Sequence, residues 1–299
     1  MKKGTLIIAL LVGISVNTSY ADPLVYEGFE DYYATGDNTS YNVLNDGGAK
    51  YIKLKGNANG GVGWAGAWND RVPVMEKTMS KTGVKSSANG YWRGGDNRQR
   101  TIATAAGSNM AKAGLVKSNG KIGAVGKTLY ISFLWSFQSG NSWGGFSLFN
   151  GGGSEVMYFG KGGGNWRFDQ SGFNDPSRTT FTGSRAHNTD NDNPSFQTNP
   201  DLVVIKLEFK SDKTEATAWI NPDTKLSNLT GNGNIKTASA NAIEFDRIRL
   251  ASGGGHNNVD EIRMATNFKS VLGVPEPATF SLLALGGIAF LARRHRRIA

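Results

Sequence analysis

Glu244 and Asp246, two residues apart, are a carboxylate pair to weigh for acid–base work. On an extended strand, residues two apart point the same way. Both acids would then share one face, as a pair flanking a glycosidic bond must. Arg249 follows three residues later, and a guanidinium keeps its proton near neutral pH and cannot shuttle one. Nucleophilic catalysis has little to draw on. The chain has no cysteine, and His187 and His256 sit among polar and glycine-rich residues that read as loops. No Gly-x-Ser-x-Gly elbow is present. We expect no enzymatic activity.

Oxygen-rich clusters at Asp37-Asn38, Asp190-Asn191-Asp192-Asn193 and Asn257-Asn258 are candidate Ca2+ ligands of the hard-donor type. The same residues also populate turns for conformational reasons, and no complete EF-hand spacing accompanies them. Cysteine-ligated metal is excluded. The remaining candidates are aromatic. Trp64, Trp68, Trp143 and Trp166 lie beside glycine or polar residues. An exposed indole face can stack on a sugar ring while neighbouring polar groups bond its hydroxyls, the composition of a small-ligand site. The competing role is packing, since aromatics dominate cores as well.

Strands must position these residues. The chain holds 40 glycines, many clustered between short apolar or aromatic runs, a pattern of strands joined by turns. In 128–138, Leu129, Ile131, Phe133, Trp135 and Phe137 alternate with polar residues; in 201–210, Val203, Ile205, Leu207 and Phe209 do the same. Such alternation predicts a half-buried antiparallel sheet. Further strands are predicted at 49–54, 100–104, 145–149, 155–160, 165–169, 215–220, 242–250 and 259–265. Two periods conflict within 242–250, and a bulge near Arg247 would reconcile them. Alternation places Asp260 on the side of Ile262 and Met264, where it would tie down a loop. The span 175–200 reads as surface loop. With no helical period of any length, the expectation is all-β, a two-sheet antiparallel sandwich in one domain, 22–272.

The ends carry a different message. Lys2-Lys3, an uncharged apolar run and the small residues before Ala21 form a secretory signal peptide, 1–21, with cleavage after Ala21. At the other end, Pro275-Glu276-Pro277 precedes an uncharged run from Ala278 to Ala292, then Arg293, Arg294, Arg296 and Arg297. Clustered arginines stay cytoplasmic, so the run is expected to stop in the membrane as a short helix with the body outside. These end charges account for most of the formal +9; without them the balance is +3, which gives no case for nucleic acid.

The order Pro-Glu-Pro, apolar run, arginine cluster over 273–299 resembles the PEP-CTERM sorting signal. That resemblance implies an exosortase partner, a transient inner-membrane intermediate, and delivery to the cell surface or exopolysaccharide matrix of a Gram-negative bacterium. The body has a second resemblance. Tyr26-Glu27-Gly28-Phe29-Glu30-Asp31, Gly63-Trp64-Ala65-Gly66-Ala67-Trp68, Trp219-Ile220-Asn221-Pro222 and Val259-Asp260-Glu261-Ile262-Arg263 are together similar to concanavalin A-like, laminin G-like jelly rolls. The resemblance implies a sandwich with a concave face and no particular activity. Laminarinase-type glycosidases of that fold carry Glu-x-Asp-x-x-Glu; Arg249 stands where this chain would need the last carboxylate. The expected function is therefore a non-enzymatic surface or matrix protein that binds polysaccharide. A carbohydrate-active enzyme and a protein-binding adhesin are the alternatives.

Overall fold

The computed structural model describes residues 22–29, 42–46, 49–53, 60–69, 73–75, 79–86, 91–94, 97–137, 143–151, 153–161, 166–169, 200–225, 229, 234–252 and 257–273. Asp22–Val274 forms one compact unit. The signal segment, the sorting tail, the 175–199 loop, both histidines of the body and the Asp37 and Asp190 clusters lie outside the described residues. Among the described residues no helix is long and apolar enough to cross a membrane.

Two antiparallel sheets make the unit. The larger contains β1 (Val25–Glu27), β2 (Asn42–Asp46), β3 (Ala49–Lys53), β4 (Pro73–Met75), β5 (Tyr91–Gly94), β7 (Thr128–Phe137), β11 (Asp201–Phe209), β12 (Lys213–Ile220), β13 (Asn234–Asn241) and β15 (Asn257–Ala265). Its order is β13-β12-β11-β7-β15-β5-β4-β3-β2, with β1 also paired to β15. The smaller contains β6 (Arg98–Thr101), β8 (Gly144–Asn150), β9 (Ser154–Lys161), β10 (Trp166–Asp169) and β14 (Arg247–Ser252), in the order β10-β9-β8-β14-β6.

Alternation explains the core. Leu129, Ile131, Phe133 and Trp135 of β7 and Val203, Ile205 and Leu207 of β11 pack against Phe146, Leu148, Phe159 and Ile248 of the smaller sheet. All of these are fully buried. Phe133 stacks on Phe146 across the interface, with ring centroids 5.1 Å apart.

The larger sheet departs from the expected half-burial. Its outer face is covered around Ser132, Leu134, Leu202 and Val204, all buried. The cover is α2 (Phe268–Leu272), with Met79, Trp219 and Leu229. A five-residue helix is too short to show a period in sequence, yet it is capped at both ends. Asn267 Oδ1 accepts from the Ser270 N–H at 2.9 Å. Gly273 closes the helix at φ 64°, where a Cβ would fall 2.9 Å from Lys85 Cβ. A second short helix, α1 (Asn109–Lys112), is capped by Ser108.

Two expectations about irregularity are corrected. The bulge lies in β15, not near Arg247. There the chain simply bends: Phe245 makes an isolated bridge to Ile122, Asp246 turns, and β14 begins at Arg247. In β15 the register against β7 slips between Asp260 and Arg263. Glu261 takes φ 56°, and Asp260 Oδ1 accepts its N–H at 2.8 Å. The extra residue lets Val259, Ile262 and Met264 all reach the core. Asp260 pairs with Leu134 on the covered outer side, so it does not share a face with Ile262.

Candidate polysaccharide-binding face

The carboxylates that opened the sequence analysis are not poised for catalysis. Glu244 is bound by the Lys117 ammonium and accepts from Asn119 Nδ2 at 2.7 Å; these donors hold its carboxyl below the ordinary range. Burial pushes the Asp246 carboxyl up, but Lys121 and the Gly151 N–H outweigh it, leaving the net value below ordinary. Arg249 projects elsewhere, onto the outer face of the smaller sheet, ion-paired with Glu155 and lying over the Phe149 ring at 4.7 Å. Two ammonium-neutralised carboxylates lack the raised acid that glycoside hydrolysis requires.

Trp64 and Trp68 belong to a buried clamp. Glu27 and Arg100 form an ion pair with both side chains essentially without solvent. Arg100 Nε donates to Gly66 O at 2.9 Å and Nη2 to Gly60 O at 2.6 Å. Its guanidinium lies 4.7 Å from the Trp64 ring centre and 5.8 Å from that of Trp68. Trp68 Nε1 donates to Glu27 at 3.2 Å and Trp64 Nε1 to Tyr26 O at 2.9 Å. The clamp fixes the glycine-rich 60–68 loop against β1 and β6. Trp166 is also placed in the core, 1 % exposed. It stacks on Phe159 at 5.3 Å, meets Trp135 edge-on at 6.1 Å and donates to Asp201 Oδ2 at 3.0 Å. Neither ring face is left for a sugar.

Trp143 alone of the four presents its ring outward. It is 41 % exposed and is the one large aromatic on the exposed side among the described residues. It precedes β8 in the same alternation as Gly145 and Ser147, so it continues their outer face. Cross-strand register extends that face: Gly145 opposes Gly160 and Ala251, and Ser147 opposes Tyr158 and Arg249. Arg249 opposes Gln99, and Gly160 opposes Arg167.

The two glycines form a floor. A Cβ on Gly145 would fall 2.7 Å from the Tyr158 ring, and one on Gly160 would fall 2.4 Å from its hydroxyl. The Tyr158 ring therefore lies flat across both positions, and its centroid is 6.5 Å from that of Trp143. Beside this aromatic pair stand Ser147, Glu155 and Arg249, with Arg249 Nη2 donating to Ser147 Oγ at 3.2 Å. The result is an exposed indole, Trp143, resting beside the buried Tyr158 ring, with the part-buried Arg249 and Glu155 to one side, held on β8, β9 and β14.

Sequence reasoning missed Tyr158. Its signal was present: glycines at 145 and 160 both fall on the outer face of predicted strands, where only a large neighbour would need such a gap. Asn257 and Asn258, one of the calcium candidates, diverge. Asn258 Nδ2 donates to Ser136 Oγ at 3.1 Å, whereas Asn257 fills the space that a Gly144 side chain would take. Among the described residues no three acidic, histidine or cysteine side chains converge as a metal site.

Residues 273–297 match the family model described as the PEP-CTERM protein-sorting motif. No curated protein matches the chain. Among solved structures, it is similar to the binding domain of Paraclostridial Mosquitocidal Protein 1 (12 % identity, 66 % of this chain and 46 % of that one, TM-score 0.34). It is also similar to the CBM2 module of the evolved Dit of Lactobacillus casei BL23 phage J-1 (12 %, 73 % and 82 %, 0.33). A third likeness is the alginate lyase of Klebsiella pneumoniae (8 %, 77 % and 85 %, 0.30). The chain spans just under half the length of the mosquitocidal domain. Likeness at this level gives neither an activity nor a ligand to this chain.

Proposed function

We propose that this protein, whose PEP-CTERM motif is a signal for exosortase processing and surface sorting, binds polysaccharide without cleaving it. The domain is read as a concanavalin A-like jelly roll delivered outside a Gram-negative cell after signal-peptide removal. The observation that carries the reading is the exposed Trp143 set against Tyr158 on the glycine floor of the smaller sheet. A sugar ring stacks on Trp143, and Arg249, Gln99 and Arg167 are the hydroxyl partners within the same face. The closure of Glu244 and Asp246 by lysines supports a non-enzymatic role.

The test uses the fragment Asp22–Gly273, which keeps α2 intact, against a polysaccharide panel with and without Ca2+. Binding and the release of new sugar ends are followed together. Binding that disappears in Trp143→Ala, with no product, is the expected result. New sugar ends would overturn the non-enzymatic reading, and binding unchanged in Trp143→Ala would overturn the site.

A further inference from the structure

The domain's last described residues are welded to its body. Leu272 O accepts the Lys85 N–H at 2.9 Å, Val271 O accepts the Ser132 hydroxyl, and Leu272 and Val271 are fully buried. The described chain ends at Gly273, where the sorting motif begins. Only residues 274–277 separate it from the uncharged run starting at Ala278. Five fully extended steps reach about 18 Å. A bilayer holding that run lies within this distance of Gly273, whatever path the joining residues take.

The surface around Gly273 is lysine-rich. Lys85 is exposed, and its Cβ lies 2.9 Å from where a Gly273 side chain would begin. Lys269 stands on α2, its Nζ donating to Thr224 O at 2.8 Å. Lys225 is exposed beside Thr224, and the Thr224 hydroxyl sits against Gly83, which brings the Lys81–Lys85 segment to the same place. Lys81 Nζ donates to Pro200 O at 2.8 Å. Lys85, Lys225 and Lys269, on three segments joined by these contacts, thus lie near the exit of the tail, while Lys81 is turned toward Pro200 and Asp201; Asp223 is the acidic side chain among the described residues of the three segments.

We propose that this lysine collar docks the domain on anionic lipid headgroups while the sorting tail is still membrane-held. The inference rests on the tail's being a membrane-anchored sorting signal and is independent of the polysaccharide face. The tether supplies proximity and the collar supplies orientation: juxtamembrane lysines are each worth about fivefold in binding to an anionic surface.

The native chain has no cysteine, so a single Thr82→Cys in the full-length protein gives a unique dye site on the exposed Lys81–Lys85 segment. The labelled protein is placed in vesicles of phosphatidylcholine alone or with 30 mol % phosphatidylglycerol (about a third anionic, enough to set a surface potential). Access of neutral acrylamide to the dye is measured. Shielding only in the anionic vesicles is expected, with the docked-to-free ratio falling about thirtyfold in Lys85→Gln/Lys225→Gln and at high salt. Both substitutions are at exposed positions, and circular dichroism checks the fold. A reference dye at Val125→Cys, before β7 and 58 % exposed, should stay accessible throughout. Equal access in both vesicle types, an unchanged double variant, or equal shielding at Val125 would overturn the proposal. So would shielding by soluble polygalacturonate but not by phosphatidylglycerol, which would assign the collar to an acidic glycan.

Discussion

Replacing Glu27 by alanine removes a carboxylate that Arg100 Nη1, Trp68 Nε1 and the Phe29 N–H share. Arg100 would keep its charge, because its guanidinium does not deprotonate in a protein, and its side chain has no solvent to turn to. Two carbonyls, Gly60 and Gly66, would still accept from it, but neither carries a countercharge. Breaking a buried pair from one side costs about 3–5 kcal/mol. For a domain of this size that lowers Tm by about 6–20 °C. Denaturant unfolding of Asp22–Gly273, followed by tryptophan fluorescence, reads the loss; Trp64 and Trp68 sit in the clamp and also report its loosening locally. The double variant Glu27→Ala/Arg100→Met separates the pair from its surroundings. If the cost of Glu27→Ala is mainly the stranded cation, removing that cation recovers part of it, and the double variant is more stable than the sum of the singles requires. A loss below about 1 kcal/mol, or strict additivity, would refute the reasoning and reduce the clamp to ordinary packing.

Four further outcomes are expected. Trp143→Ala should abolish polysaccharide binding while moving the unfolding midpoint by less than about 0.5 kcal/mol, since the ring is largely exposed; isothermal titration and denaturation read the two. Gly160→Ala should lower both affinity and stability, by about 1–3 kcal/mol in the latter, because its Cβ meets Gly144 O and the Tyr158 hydroxyl. Leu272→Ala should cost about 2–5 kcal/mol by emptying the contact under α2, detectable by thermal melting. Stability should be level from pH 7 to 5 and fall below about pH 4, because Glu215, Glu244 and Asp246 all have depressed carboxyls in the folded state. For such groups the contribution is present above the unfolded value and disappears as pH drops through the folded one, which for Glu215 is about 2. A midpoint that instead rises on acidification would contradict the lysine pairings.

Much of the sandwich was legible because its strands obey strict alternation. Thr128–Phe137 and Asp201–Phe209 emerge close to their expected bounds, since each buries a row of large apolar side chains; Lys213–Ile220, which buries Thr214, Ala216, Ala218 and Ile220, is placed by the turn before it. Other elements lacked that signal. Asn234–Asn241 has alanine as its described buried residue, so its place at the sheet edge comes from pairing with β12 and not from a hydrophobic stripe. The helix Phe268–Leu272 is specified by caps and by the apolar patch it covers, neither visible from five residues. The bulge in β15 shows the limit of counting by twos: three core residues, Val259, Ile262 and Met264, violate a simple period, and only the partner strand reveals where the extra residue goes. At the site, residue type singled out four tryptophans, but exposure is a three-dimensional property. Trp64, Trp68 and Trp166 carry the same glycine-rich signature as Trp143, and the structure uses them to pin loops and fill the core. The Glu27–Arg100 pair, 73 residues apart, has no local signature.

A last consequence concerns tension. The proposed binding face lies on the outer side of the smaller sheet, and the described chain ends beside the outer side of the larger one. A cell-surface protein held at both points is pulled through its own thickness. Load taken at Trp143 passes from β8 across its ladder to β14, and from there along the chain through the four residues 253–256, β15 and the helix ending at Gly273. Both loaded strands are interior to their sheets, β14 between β8 and β6, and β15 between β7 and β5. Pulling along them shears whole ladders of hydrogen bonds together instead of peeling an edge one bond at a time. A fold with no disulfide to lock it would in this way carry load between the proposed face and its C-terminal end through two interior strands.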